Sequence, residues 1–372
     1  MELQEIINKA KEHKVLVGMY GLGVWGRGFA WRLFSYLEIN IDFVSDSDVK
    51  KMNDFEMKCI RKLAPEELLQ IESETIVFVM IGQFYIREIE QMLKKNSNLK
   101  LVTLDEILNL DIVLEQFYGV KNIRQFEKEA SFKIAIREKN IGNYINGDKI
   151  AVYTCIINGY DELKEPLIVE KNCDYFLISD KKPSNLEVFK WIDYKLIVPE
   201  KYDDPAVINR YCKMHAHEIF KNYRYSIYMD GKVQVIRKIS KYINNLGGLG
   251  IGIHKHGFMD CIYVEGIRMV GSGCSDEAGV ARQMREYILE GMPRNFGTFE
   301  CRMIVRDHNN VLGNQIMEQW FEEYYHKERR DQFSLSYIIW KNGLKCNDVG
   351  LINNGLPWAE NSDIECRKEH LK

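Results

Sequence analysis

YSIYMDGKVQV, residues 225–235, is the stretch whose reading decides the fold of the larger part of this chain. Five residues of β-favouring, mostly apolar character end in Asp230, Gly231 and Lys232. In many α/β enzymes such a strand ends in two acids one residue apart, and the pair holds a divalent ion. Here the second position is Lys232. Three readings follow: a metal site that has lost a ligand, a site with a built-in cation, or an ordinary turn. Residues i and i+2 of a strand share a face, so the sequence predicts that Lys232 reaches the carboxylate of Asp230.

Outward from this stretch the signals are those of an α/β domain. IAVYTCIING (150–159) and DYFLIS (174–179) read as apolar strands. Between them and YSIYMD lies a helix expected from about Pro205 to Phe220, opened by Asp203-Asp204-Pro205 with proline at the first helical position. On that helix Arg210, Lys213 and His217 are spaced i, i+3, i+7 and are expected to form one basic stripe. This domain is expected to run from 149 to 350, followed by a loose polar tail, 351–372.

Upstream, KVLVGMYGLGVWGRG (14–28) is a strand, a glycine turn and a helix start. Gly21, Gly23 and Gly26 have the G-x-G-x-x-G spacing of a dinucleotide turn, and Asp46 stands 20 residues after Gly26, where an acid bonds a ribose hydroxyl in such folds. Helix-like and strand-like segments then alternate, so a Rossmann-like parallel sheet is expected over 1–110. It serves either as a nucleotide site or as a scaffold. No hydride-transfer constellation accompanies the glycines. Residues 111–148 are charged and helix-permissive and are expected to form a helical connector.

Composition narrows the class. A chain of 372 residues suffices for two domains, and its net charge of -3 argues against nucleic acid or a membrane surface as the main partner. No apolar run approaches the roughly 20 residues of a bilayer span, and the N-terminus does not read as a signal peptide. Nine cysteines are scattered without a C-x-x-C pair, which suits reduced thiols and a cytoplasmic protein. Neither a Gly-x-Ser-x-Gly elbow nor a metalloprotease motif occurs.

Several motifs in order now carry a resemblance. IAVYTCIINGYDELKEP (150–166), DYFLISD (174–180), INRYCKMHAHEIFKNYRYSIYMDGKVQV (208–235), HGFMDCIYVEG (256–266), GMPRNFGTFECRMIVRDHNN (291–310) and ERRDQFSLSY (328–337) together resemble the TOD/MUCI-type glycosyltransferase-like family of plants and bacteria. The N-terminal YGLG…FVSDSD pattern is similar to small Rossmann-like domains fused to bacterial sugar-modifying enzymes. The resemblance implies a GT-A-like α/β domain that transfers a sugar from a nucleotide sugar to a glycan, a lipid-linked saccharide or a cell-surface polymer precursor. A non-catalytic nucleotide-sugar binding module is one alternative. A hydrolase acting on a lipid or glycan is another, since a plant member is assigned ceramidase activity.

The resemblance also implies roles for residues. Tyr153, Thr154 and the NGYD turn hold the nucleoside, with Tyr160 stacking on the base, Asp161 bonding base or ribose, and Asp180 nearby. Arg210 and Lys213 hold the diphosphate. Asp230 is the metal or catalytic acid, for manganese or magnesium. Lys232 in place of a ligand weakens metal dependence, and His256 or His308 would complete a metal site. Glu265 orients an acceptor hydroxyl or acts as its base, and Asp331 stabilises positive charge on the sugar. Glu300 and Arg306 line the same cavity. With Asp331 at the reacting sugar rather than merely capping a helix, Asp331→Asn is expected to keep a near-normal melting temperature and nucleotide binding and to lose turnover.

Overall fold

The structure, a computed structural model, describes residues 2–57, 60–130, 148–257, 259–352 and 364–366. Residues 131–147 of the expected connector, and 353–363 and 367–372 of the expected tail, lie outside the described residues. The chain divides into two compact units, Met1–Phe126 with Tyr263–Ile288, and Glu127–Ile262 with Leu289–Lys372.

The first unit holds β1 (Leu16–Tyr20), β2 (Phe43–Ser45), β3 (Arg61–Lys62), β4 (Thr75–Val79) and β5 (Leu99–Thr103), all parallel in the order β3-β2-β1-β4-β5. This is the Rossmann-like order. The central strands β1, β2 and β4 are buried almost throughout, as in parallel sheets covered on both faces. The unit extends past residue 110. The helix Asp111–Tyr118 buries Val113, Leu114 and Phe117, and the chain returns to this unit with Tyr263–Ile288, where Gly266 leaves room for the Tyr118 ring: a Cβ there would stand 2.6 Å from its hydroxyl. Apolar periodicity along one segment cannot announce a partner 145 residues away, which is the separation of the Tyr118 hydroxyl and the Tyr263 carbonyl it bonds.

The glycine turn serves itself. Gly21 has φ +104°, and a Cβ on Gly26 would stand 1.8 Å from the Gly21 carbonyl oxygen. Asp46 accepts the Leu22 N–H at 2.6 Å on one oxygen and the Asp48 N–H at 2.8 Å on the other. One carboxylate oxygen thus ties the end of β2 to the turn after β1, and the other closes its own loop. Asp46, the residue expected to bond a ribose, holds these two backbone N–H groups.

The second unit holds β6 (Ile150–Ile156), β7 (Cys173–Ser179), β8 (Lys190–Asp193), β9 (Tyr225–Met229), β10 (Val233–Val235), β11 (Ile251–Lys255), β12 (Phe299–Asp307), β13 (Gly350–Leu351) and β14 (Ile364–Cys366). Seven of these form a mixed sheet, β13-β11-β12-β9-β6-β7-β8. β8, β7, β6 and β9 run parallel, and β12 is antiparallel to both β9 and β11. From β6 the chain moves outward to β7 and β8, then returns to β9 on the other side of β6. The strand order therefore reverses between β6 and β9, and ligands of open α/β sheets bind outside the carboxyl ends of strands at such a point.

Two expectations change here. The basic helix runs Pro205–Met214, with Asp204 accepting the N–H groups of Ala206 and Val207, and breaks at His215 before a short helix, Ala216–Ile219. His217 therefore leaves the stripe and pairs with Glu318 at 3.2 Å. The tail is not wholly loose: Ile364–Cys366 pairs antiparallel with β10. Among the described residues no helix is long and apolar enough to cross a membrane.

The two glycines of the first turn should respond differently to a methyl group. Gly26→Ala meets the Gly21 carbonyl, whereas a Cβ on Gly23 has nothing within 4 Å. In thermal or urea melts Gly26→Ala is expected to cost about 2 kcal/mol and Gly23→Ala less than about 0.5 kcal/mol.

Candidate active site

A cavity of about 630 Å³ opens at the carboxyl ends of β6 and β9. Its wall combines the loop after β6, the first turns of the helix Pro205–Met214, the turn after β9, the start of β12 and the start of the helix Asp331–Lys341. Five cations line it, Arg210, Lys213, Lys232, Arg302 and Arg330, against five carboxylates, Asp161, Asp204, Asp230, Glu300 and Asp331.

The opening stretch resolves into a turn that belongs to this wall. The Val233 N–H bonds the Asp230 carbonyl at 2.9 Å, so Asp230, Gly231 and Lys232 turn the chain between β9 and β10 instead of extending the strand. The strand-face argument for Lys232 and Asp230 therefore does not apply. Gly231 is needed for close packing, since a Cβ there would stand 2.8 Å from Ile156 and 2.9 Å from Asp161 Oδ2. Lys232 lines the cavity, and an ammonium near Asp230 is that of Lys213, 3.7 Å from Oδ1.

Lys213 is the centre of the site. Its side chain is 1% exposed, and Nζ lies 2.6 Å from Asp331 Oδ2; the Arg210 guanidinium reaches the same oxygen at 3.1 Å. Burial of Asp331 opposes its charge, but Arg210 and Lys213 together outweigh that and hold the carboxyl well below the usual carboxylate range. Below this group Arg306, itself buried, donates to the Lys213 carbonyl and to the Tyr153 hydroxyl, and that hydroxyl donates to the Cys212 and Lys213 carbonyls at 3.1 and 3.3 Å. The carboxyl end of the helix carrying Arg210 and Lys213 is thus pinned from inside the sheet.

β12 brings its residues in by an irregularity. Ile253 and His254 are consecutive on β11, yet they pair with Ile304 and Glu300. Cys301, Arg302 and Met303 are the excess, a bulge that re-aims side chains at the strand end. Glu300 and Arg302 reach the cavity there, with Arg302 Nε 2.9 Å from Glu300 Oε1, and the Arg302 carbonyl receives the Asp230 N–H at 2.9 Å.

The expected site residues divide accordingly. Tyr160, Asp161, Arg210, Lys213, Asp230, Lys232, Glu300 and Asp331 converge on this cavity, whereas Arg306, expected there, lies buried beneath it and is not among the lining residues. Asn158 and Gly159, at φ +56° and +59°, form the turn that carries Tyr160, whose ring is 48% exposed. Tyr153 and Thr154 are buried in the sheet and do not line the cavity; Tyr153 braces the helix end instead. Asp180 accepts the Asn158 N–H at 3.1 Å and so caps the loop. Glu265 is buried on the helix Ile262–Gly271, whose residues from Tyr263 belong to the first unit with Gly21, Gly23, Gly26 and Asp46, and it is not among the lining residues. His308 is held by the Tyr223 carbonyl and the Ser226 hydroxyl, and burial with Arg306 nearby brings its pKa to about 3. Burial, then Arg302 and Arg330, brings that of His256 to about 4. Asn209 and Arg302 were missed in the sequence, and no local signal marks them, since the bulge interrupts the alternation of β12 around Arg302.

A divalent ion on Asp230 needs several oxygen donors around it. Asp230 Oδ1 accepts the Tyr228 hydroxyl at 3.0 Å, and Asp331 already carries two cations. Lys213 places a positive charge between the two carboxylates, where it would repel a second cation. These donors do not fit the ion. Among the described residues a three-residue group with ligand atoms within 4.8 Å of one another is His217, Glu218 and Glu318, none of which lines the cavity.

The first unit is a Rossmann-like parallel sheet, and the second is a mixed α/β sheet with a charged crevice at its switch point. Residues 118–350 match the TOD1/MUCI70, glycosyltransferase-like domain, and the chain belongs to that family. It is 22% identical over 247 residues to Probable hexosyltransferase MUCI70 of Arabidopsis thaliana, a match covering 60% of this chain and 41% of that relative, so the chain spans about two fifths of its length. Among solved structures it is similar to the WbbM bifunctional glycosyltransferase, at 12% identity and TM-score 0.35 over 58% of this chain and 40% of that one. It is also similar to mouse xyloside xylosyltransferase 1, at 12% identity and TM-score 0.30 over 52% and 82% of the two chains.

The burial of Lys213 overturns the expectation that Asp331→Asn keeps its melting temperature. The change leaves a buried ammonium without its nearest anion and should cost about 3 kcal/mol at pH 7. Because the folded carboxyl titrates below its unfolded value of about 3.9, the wild type has this stability in full above that pH and loses it as the pH falls further. Acid denaturation followed by circular dichroism should show a correspondingly shallower acid limb in Asp331→Asn.

Proposed function

We propose that the second unit transfers a hexose from a nucleoside diphosphate sugar to a saccharide or lipid-linked acceptor. One observation carries the reading: a single cavity of about 630 Å³ is lined by the exposed aromatic Tyr160, its neighbouring acid Asp161 and five cations. Tyr160 would stack on the base and Asp161 would bond the ribose or base. Arg210, Lys213 and Arg330 would receive the diphosphate, for which guanidinium groups suit bidentate contact. The hexose is taken from the name of the plant relative.

Charge grows on the diphosphate as the sugar leaves, and a preorganised cation that meets it lowers the barrier. Lys213 is that cation in this proposal. Asp331 keeps it charged and in place, and Asp331 also faces the sugar, whose anomeric carbon becomes positive. Arg302 and Lys232 add positive potential around the leaving group. The N-terminal unit acts as a scaffold, its acid Asp46 being committed to its own turn. The proposal keeps the cytoplasmic placement expected from the sequence, which cell fractionation tests.

Calorimetry of the full chain with UDP, GDP and CDP tests the donor. One of them is expected to bind, and Arg210→Ala should weaken it at least about tenfold, or ~1.4 kcal/mol. Release of that diphosphate from its hexose conjugates should persist in EDTA. Binding without turnover of any conjugate would make the chain a binding module, and no binding at all would remove the reading.

A further inference from the structure

Transfer to a hydroxyl needs a proton acceptor. As the acceptor oxygen bonds to the anomeric carbon, the carbon–oxygen bond to phosphate breaks and its electron pair leaves with the nucleoside diphosphate. The acceptor's proton must go to a nearby base. Three of the lining carboxylates are spoken for. Asp331 is clamped by Lys213 and Arg210. Asp204 caps its helix with one oxygen and pairs with Arg329 at 3.0 Å through the other. Asp230 holds the Tyr228 hydroxyl and faces Lys213. Asp161 follows Tyr160 in the loop after β6 and packs beside Gly231, where the proposal places the nucleoside.

Glu300 differs from all of these. It is 4% exposed, it is turned into the cavity by the β12 bulge, and its Oε1 faces a single close cation, Arg302 Nε at 2.9 Å. The charged groups around it come from every adjoining element: Arg302 on its own strand, Asp230 from the turn after β9, Asp331 from the following helix and Lys213 from the Pro205–Met214 helix, with His254 opposite it in register on β11. Burial raises its affinity for a proton first, Asp230 and Asp331 add to that, and Arg302 and Lys213 oppose it without cancelling it. Asp331 is displaced the other way in the same cavity. Two carboxyls whose environments push them apart are the arrangement by which sites separate a proton carrier from a fixed charge.

We propose that Glu300 is the general base that takes the acceptor hydroxyl's proton, on the carboxylate oxygen not engaged by Arg302, and releases it to solvent after product leaves. This rests on the transferase reading above and adds a residue to it. A base contributes about 100-fold or more to such a step.

The test uses whichever of UDP-glucose, UDP-galactose or GDP-mannose the wild type cleaves, with water as acceptor, and the full chain. Glu300→Gln should bind the diphosphate as the wild type does and turn over at least about 100-fold more slowly. Azide, a nucleophile with no proton to lose, should restore diphosphate release in that variant. The wild-type rate should rise with pH through a limb above the ordinary carboxylate range, because the base must be ionised, and Glu300→Gln should lack that limb. Wild-type turnover in Glu300→Gln, or a loss that azide leaves uncorrected, overturns the role of Glu300 while the transferase reading stands. A wild type that cleaves none of the three and binds no nucleotide overturns both. If Glu300→Gln does not fold, Glu300→Asp decides: a slower enzyme that keeps the limb supports the base, and one at full rate without the limb refutes it.

Discussion

The ammonium of Lys213 is the constraint on which the rest of the second unit depends. Placing a lysine in a nearly dry interior costs several kcal/mol unless anions meet it, and Asp331 and Asp230 do so from two other elements. The helix from Pro205, the turn after β9 and the helix from Asp331 must therefore close on one point. Arg306 and Tyr153 secure the same helix from the sheet side by bonding its last carbonyls, where a cation also suits the negative end of the helix dipole. Apolar residues of similar volume often make a more stable interior than such an ion cluster.

Topology explains why this point is also a crevice. β7 and β8 extend the sheet on one side of β6 and β9 extends it on the other, so the loops leaving β6 and β9 part company and leave space between them. The antiparallel β12 enters from the opposite direction and would contribute only its regular alternation. The bulge between Glu300 and Ile304 breaks that alternation and supplies both a carboxyl and a guanidinium. Gly231 then lets the β9 turn lie against Ile156 and Asp161, which draws the two loop ends together.

The first unit applies the same elements to another end. Its glycines and its acid have the spacing of a dinucleotide site; one oxygen of the acid bonds the backbone of the turn, the other bonds its own loop, and Gly26 lies against the Gly21 carbonyl. The motif is satisfied internally. Spacing is shared by turns that hold a phosphate and turns that hold themselves; what separates them is where the carboxylate points, and that depends on the height of β2 beside β1.

Local patterns were enough for much of the fold. Strands of apolar residues, the Asp204-Pro205 helix start, the Asn158-Gly159 turn and the parallel order of the first unit are written in periodicity and turn chemistry, because short-range sterics and hydrogen bonds determine them. Eight of the expected site residues, Asp230 and Asp331 among them, also meet at one cavity, built where α/β sheets place sites, at the ends of strands and helices. The sequence could not say which cation meets Asp230. Lys232 is two residues away and Lys213 is 17 earlier, and only the fold of the helix over the sheet brings Lys213 to 3.7 Å. Nor could it show that Glu265 is packed in the first unit, that Tyr153 is a brace, or that three extra residues of β12 turn Glu300 inward. Those outcomes depend on burial and on pairing between distant segments, quantities that no local window of sequence contains.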